Sequence, residues 1–185
     1  MKKILIYILL TSAVFVAKAT EIQTLQGQFR QLREQAMFAT PQESQGVFYY
    51  MADSLLRWEY TTPNSFGIIA NGQNIKLLKD GKITSAENAH ALQTMVNMIM
   101  QTISVNNLED NTQFQIQTNV AGNETTLILT PKKRGARAMF TRMEIILDPS
   151  GILAKQVKMQ EKSGDITTII FSNLQLNKSI DKSLF

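Results

Sequence analysis

Tight-turn residues return along this chain at intervals too short for a helical domain. Asn71-Gly72 is the strongest two-residue hairpin signal, and Asp80-Gly81, Ala121-Gly122-Asn123, Asp148-Pro149-Ser150-Gly151 and Ser163-Gly164-Asp165 repeat the pattern. Gly, Asn and Asp tolerate the left-handed backbone of a hairpin turn, so each cluster marks a reversal between extended runs. Residues 46–51 (GVFYYM) and 55–60 (LLRWEY) are rich in residues that favour strands. Phe114, Ile116, Thr118 and Val120 alternate with polar neighbours, as do Met139, Thr141, Met143, Ile145 and Leu147. A period of two puts each set on one sheet face. Residues 66–70, 75–79, 125–130, 152–161 and 166–171 complete the predicted strands, with loops over 41–45 and 132–137. Residues 21–37 fit a helix through Ile22, Leu25, Phe29 and Leu32, and equally a strand. The expected fold is mainly β with some α: an antiparallel meander curled into a barrel or an open half-barrel.

One segment changes period. Leu92, Met95, Val96, Ile99 and Ile103 fall on one helical stripe within residues 87–103, with Ser85 as the expected N-cap. Such a helix has to lay its stripe against the sheet.

The amino terminus carries Lys2 and Lys3, an apolar run over residues 4–17, and Ala17-Lys18-Ala19. A basic start, a short apolar core and small residues at an A-x-A site read as a cleavable secretory signal, with cleavage expected after Ala19. The run is shorter than the roughly 20 residues that span a bilayer. The chain has no cysteine, so no lipid-attachment site stands at the cleavage point, and neither disulfide nor thiol chemistry is available. Residues 20–185 form one expected domain. With Lys2, Lys3 and Lys18 removed, sixteen basic and fifteen acidic residues remain. The pI of 9.3 is therefore no nucleic-acid footprint, and no nucleic-acid partner is expected.

The inventory for catalysis is thin. The single histidine, His90, reads as a surface residue, and Glu109-Asp110 is the only adjacent carboxylate pair, in an expected loop. No phosphate-binding glycine loop or metal-ligand spacing occurs, so no cofactor and no enzymatic activity are expected. The densest charge feature, Lys132, Lys133, Arg134 and Arg137, suits an anionic headgroup or an acidic partner if it is more than a solvated hairpin. The apolar inventory says more. Nine Met and nine Phe favour a surface that adapts to variable greasy ligands, although core packing accounts for many of them.

Residues 56–63 (LRWEYTTP), preceded by the glycine-started aromatic strand from Gly46, resemble the R-W-E-Y-x-x-P pattern of the LolA family of periplasmic lipoprotein carriers. Phe29-Arg30-Gln31 is similar to the family's early F-x-Q, and Asn71-Gly72 to its hairpin. Leu129-Thr130-Pro131-Lys132, then Ser163-Gly164-Asp165 with residues 168–173, and finally residues 177–185 follow in the same order. The resemblance implies an open antiparallel half-barrel with a helical lid over an apolar cavity. It also implies a periplasmic, monomeric carrier that takes lipidated proteins from an inner-membrane ABC transporter to an outer-membrane receptor. On that basis Leu56, Trp58 and Tyr60, which share a strand face, Leu92, Met95, Val96 and Ile99 on the helix, and Met139, Met143 and Ile145 are the expected cargo-binding residues. Arg57 and Glu59 fall on the other face, in an expected structural role.

Two departures stand out. Many members carry Arg-Pro in the turn before R-W-E-Y, where the arginine latches the lid; here Ala52 and Asp53 stand there. Cleavage after Ala19 also leaves too few residues before Phe29 for the family's first helix. These departures keep open another lipid or glycolipid as cargo. An envelope hydrolase using carboxylates from separate strands is the remaining alternative.

Overall fold

The computed structural model describes residues 21–185, apart from 86–88 and 104–112 and the side chains of residues 89–91, 94 and 139. Eleven strands follow in chain order: β1 (Thr24–Glu34), β2 (Gln42–Met51), β3 (Leu55–Thr62), β4 (Phe66–Asn71), β5 (Asn74–Lys79), β6 (Lys82–Ser85), β7 (Phe114–Ala121), β8 (Glu124–Pro131), β9 (Arg142–Leu147), β10 (Ala154–Gln160) and β11 (Ile166–Leu176). Helix α1 (Ala89–Ile103) lies between β6 and β7. Helix α2 (Arg134–Met139) lies between β8 and β9, and a 3-10 turn covers Lys182–Leu184.

All strands join one open antiparallel sheet in the order β6-β5-β4-β3-β2-β1-β11-β10-β9-β8-β7. The first six strands and the last five are two meanders, joined where β1 pairs with β11, with Phe29 opposite Phe171. Strands β6 and β7 are opposite edges, so the chain between them has to cross a sheet face. Helix α1 is on that crossing, which is why the one clear helical stripe sits in mid-chain.

The hairpins obey local turn chemistry. Lys79 pairs with Lys82 across Asp80 (φ 49°) and Gly81 (φ 74°), the left-handed pair that a type I′ turn requires. At Asn71-Gly72 the loop sits one residue later than the dipeptide suggests. Asn71 pairs with Asn74, and Gly72 (φ 60°) with Gln73 makes the turn.

Several expectations are corrected. Residues 21–37 resolve to strand β1, because Leu25 and Phe29, an even number of residues apart, are buried between two strand neighbours. The loop over 41–45 is mostly strand: β2 starts at Gln42, where Arg33 of β1 supplies its pairing partner. Lys82–Ser85 adds a strand that its polar residues concealed; Ser85 ends this strand, and residues 86–88 lie outside the described ones. The basic loop contains α2, whose Ala136 and following Phe140, four residues apart, are both buried. Met139 consequently belongs to α2 rather than to the strand with Met143 and Ile145, which begins at Arg142.

The main core is one apolar cluster between the sheet and the two helices. It includes Phe29, Phe48, Leu56, Trp58, Ile68, Leu129, Met143, Ile145, Val157 and Phe171 from the sheet, Val96 and Ile103 from α1, and Ala136 of α2 with the following Phe140. The opposite face is partly strapped by the chain end. The Asn177 side chain accepts the Gln23 and Thr24 N–H groups, and Arg57 donates to the Leu184 carbonyl at 3.1 Å. Arg57 also grips Glu59 at 2.8 Å, which pairs it along its own strand rather than across strands.

Candidate functional site

The site is built around an aromatic stack. Phe29 of β1 lies opposite Gly46 of β2, and a side chain on Gly46 would strike the Glu59 carbonyl and the Phe29 ring. Glycine there frees room for the ring to lie over the strand. Trp58 of β3 then stacks on Phe29, with centroids 4.0 Å apart and planes at 22°. Phe48 (5.8 Å) and Phe171 (6.2 Å, edge-on) flank Trp58. Tyr60 meets Phe29 edge-on at 5.1 Å and donates its hydroxyl to Gln31 Oε1 at 2.9 Å. Burial pushes the Tyr60 phenol above its ordinary pKa, so it stays a neutral donor.

Above this stack is an apolar void of about 30 Å³ lined by Trp58, Met98, Ile99, Thr102, Met143, Val157, Met159, Ile169 and Phe171. Its walls come from β3 and from β9, five strand steps apart in the sheet. A flat sheet would separate them by about 24 Å. A void this small touches both only because the sheet curls round it, with α1 closing the open side. The Thr102 hydroxyl donates to the Met98 carbonyl at 2.8 Å, one turn back, and the Met143 sulfur lies 4.0 Å from it.

A second cavity of about 270 Å³ lies beside the first. Asn97, Met98, Gln101, Gln113, Phe114, Lys133, Gly135, Ala136 and Phe140 line it. Phe114 and Phe140 stack at 5.9 Å to form part of its apolar wall. Met98 borders both spaces.

The residues expected from sequence divide among these features. Trp58, Ile99 and Met143 line the apolar void. Leu56, Val96 and Ile145 are fully buried in the cluster, and Tyr60, Leu92 and Met95 pack on it while half-buried. The side chain of Met139 lies outside the described ones, as do those of His90, Glu109 and Asp110. Lys132, Lys133, Arg134 and Arg137 are all exposed; Lys133 lines the larger cavity, and Arg137 is tied to the Pro131 carbonyl at 3.0 Å. Sequence reasoning passed over Thr102, Val157, Met159, Ile169 and Phe171. The sequence identified β10 and β11 as strands without assigning a face, and the β1–β11 pairing is what brings them round toward Trp58. Ala52 and Asp53 are exposed in the β2–β3 turn.

Helix α1 is held mainly by apolar contact. It has no acidic residue in its first turn and no basic residue in its last, so its own terminal turns add no side-chain charge that favours its dipole. A fifteen-residue helix is marginal alone and depends on its buried stripe.

Known proteins resemble this chain. An outer-membrane lipoprotein carrier protein from Methylococcus capsulatus (strain Bath) is 24% identical over 165 residues, covering 88% of this chain and 76% of the relative. An uncharacterized conserved protein from Thermus thermophilus shares the fold with a TM-score of 0.51 at 8% identity, over 88% of this chain and 83% of that one. A LolA superfamily protein from Nitrosomonas europaea aligns with a TM-score of 0.46 at 10% identity, over 90% and 91% of the two chains. The pattern of the family described as outer membrane lipoprotein carrier protein LolA matches residues 20–185, the whole sheet and both helices included, and this chain therefore belongs to the LolA family.

Proposed function

We propose that this protein is a periplasmic carrier that shelters the acyl chains of lipidated proteins between α1 and the curled sheet. The observation that carries the reading is the apolar void under α1, walled by Trp58, Met98, Ile99 and Met143. As it stands it is a narrow seam, far below the roughly 300–1,000 Å³ of ordinary ligand pockets. An acyl chain enters only if α1 lifts and the chain takes its place on the sheet.

The energetics allow this exchange. Val96 and Ile103 of α1 are fully buried, and Leu92, Met95, Met98 and Ile99 are partly so. At about 1.5–3 kcal/mol per fully buried side chain, and about half that for the others, lifting the stripe costs on the order of 8 kcal/mol. A sixteen-carbon chain left in water costs about 12 kcal/mol at 0.8 kcal/mol per methylene. A chain laid on the same face therefore offsets the loss.

In this reading residues 1–19 are a signal removed after Ala19, residues 20–185 act as one monomeric domain, an inner-membrane ABC transporter is the donor and an outer-membrane receptor the acceptor. The purified protein, added with ATP to inner-membrane vesicles holding the transporter and a tagged lipoprotein, is expected to carry the tag into the soluble fraction. A tag that stays with the vesicles refutes the assignment of cargo.

The exposed Ala52-Asp53 turn favours a second reading, in which a different lipid or glycolipid is carried without an arginine latch. Mass spectrometry of lipid extracted from the purified protein separates the two. An acylated peptide in the extract removes the second reading.

A further inference from the structure

The larger cavity has a composition that an acyl chain alone does not explain. Three amide residues (Asn97, Gln101 and Gln113) and Lys133 line it together with Met98, Phe114 and Phe140, and no carboxylate lines it among the described residues. The small void next to it has an almost wholly apolar lining whose polar group, the Thr102 hydroxyl, is already bonded to the helix backbone. Met98 is the shared partition. Among the described residues, one compartment is thus lined by amides and one lysine and the next is apolar, and a flexible thioether separates them. Methionine is suited to this place, because its unbranched chain repacks with little cost.

We infer that the two compartments form one site for an anionic acyl amphiphile. Its negatively charged oxygen head sits in the larger cavity with Lys133 and the amides, and its chain passes Met98 into the space opened under α1. This rests on the second carrier reading, in which the cargo is a lipid rather than a lipidated protein, and names the head chemistry of that lipid. Lys133 supplies charge, the amides donate hydrogen bonds to head oxygens, and Met98 swings to admit the chain.

Trp58 is the only tryptophan in the protein and lines the void, so it reports chain entry directly. The probe is a lysophosphatidylglycerol with a bromine-labelled acyl chain, compared with a long-chain alcohol carrying the same bromines; bromine quenches tryptophan on contact. The expected result is quenching by both, with the anionic probe bound about five-fold more tightly, the upper range for a partly exposed charge pair. Added salt and Lys133→Gln are each expected to abolish that preference, and Lys133→Arg to retain it. Inorganic phosphate is expected to leave the fluorescence unchanged and to compete only weakly. Met98→Phe, which stiffens the partition, is expected to weaken both probes together.

Equal affinity of the two probes overturns the head site while the carrier reading stands. Phosphate competing as well as the anionic probe also overturns it, by showing a site for free anions. Quenching by neither probe overturns the head site and the carrier reading together.

Discussion

Trp58 lies at the centre of the core, and its truncation measures how far the aromatic stack organises that core. The side chain is 3% exposed and touches the Phe29, Phe48 and Phe171 rings. Replacing a buried Trp or Phe by Ala costs about 3–5 kcal/mol, including the cavity left behind. The Phe29 stack at 4.0 Å adds the aromatic preference, about 0.5–1.5 kcal/mol beyond area, which places Trp58→Ala toward the upper end, about 4–5 kcal/mol. For a chain of this size 1 kcal/mol shifts Tm by about 2–4 °C, so a fall of about 8–20 °C is expected. Trp58→Phe keeps a ring in the stack and is expected to lose about 1–2 kcal/mol. The assay is urea unfolding followed by circular dichroism, with an unchanged denaturant slope as evidence that only stability has moved. A loss below about 1.5 kcal/mol for the alanine variant refutes the reasoning, because the stack would then not organise the core.

Gly46→Ala is expected to destabilise by at least the roughly 1–3 kcal/mol of an overpacked core, since the added methyl meets the Glu59 carbonyl and the Phe29 ring; urea unfolding measures it. Arg57→Ala frees both Glu59 and the Leu184 carbonyl, and faster proteolysis of the last residues is the expected readout. Hydrogen bonds from Arg30 and then Gln45 lower the Glu43 carboxyl from its ordinary 4.5 to about 2. Because the folded value is the lower one, the stability from this pair is complete above about 4.5 and is lost as pH falls toward 2. An NMR titration is expected to place Glu43 there, and Arg30→Gln to return it toward the ordinary value.

The fold was largely legible because its turns are chemically explicit. Asp80-Gly81 and Gly122 announce their hairpins, and alternation in β9 identifies the inward face, whereas in β7 only Phe114 and Ile116 of the alternating set turn inward and Thr118 and Val120 are exposed. The losses have physical causes. Strand β6 is exposed along its whole length, so no alternation distinguishes it. Helix α2 is too short for a periodic signal, and its Arg and Gly residues read as loop. The site was half legible. The RWEY strand pointed to Trp58, and the helical stripe to Ile99. Met98 lies beside that stripe, and Met159, Ile169 and Phe171 reach the site through sheet curvature, which no local pattern encodes.

The central claim is that acyl chains bind where α1 now lies, and a lock on α1 tests it most directly. The native chain has no cysteine, and the Thr102 hydroxyl lies 4.0 Å from the Met143 sulfur across the void. A Thr102→Cys, Met143→Cys variant, oxidised or bridged by a short bis-methanethiosulfonate reagent, pins the helix to β9 through bonds that a reductant breaks. The account predicts at least a ten-fold loss of acyl-chain binding in the cross-linked form and full recovery on reduction. Equal binding by the cross-linked and reduced forms, with the cross-link verified by mass, would contradict it.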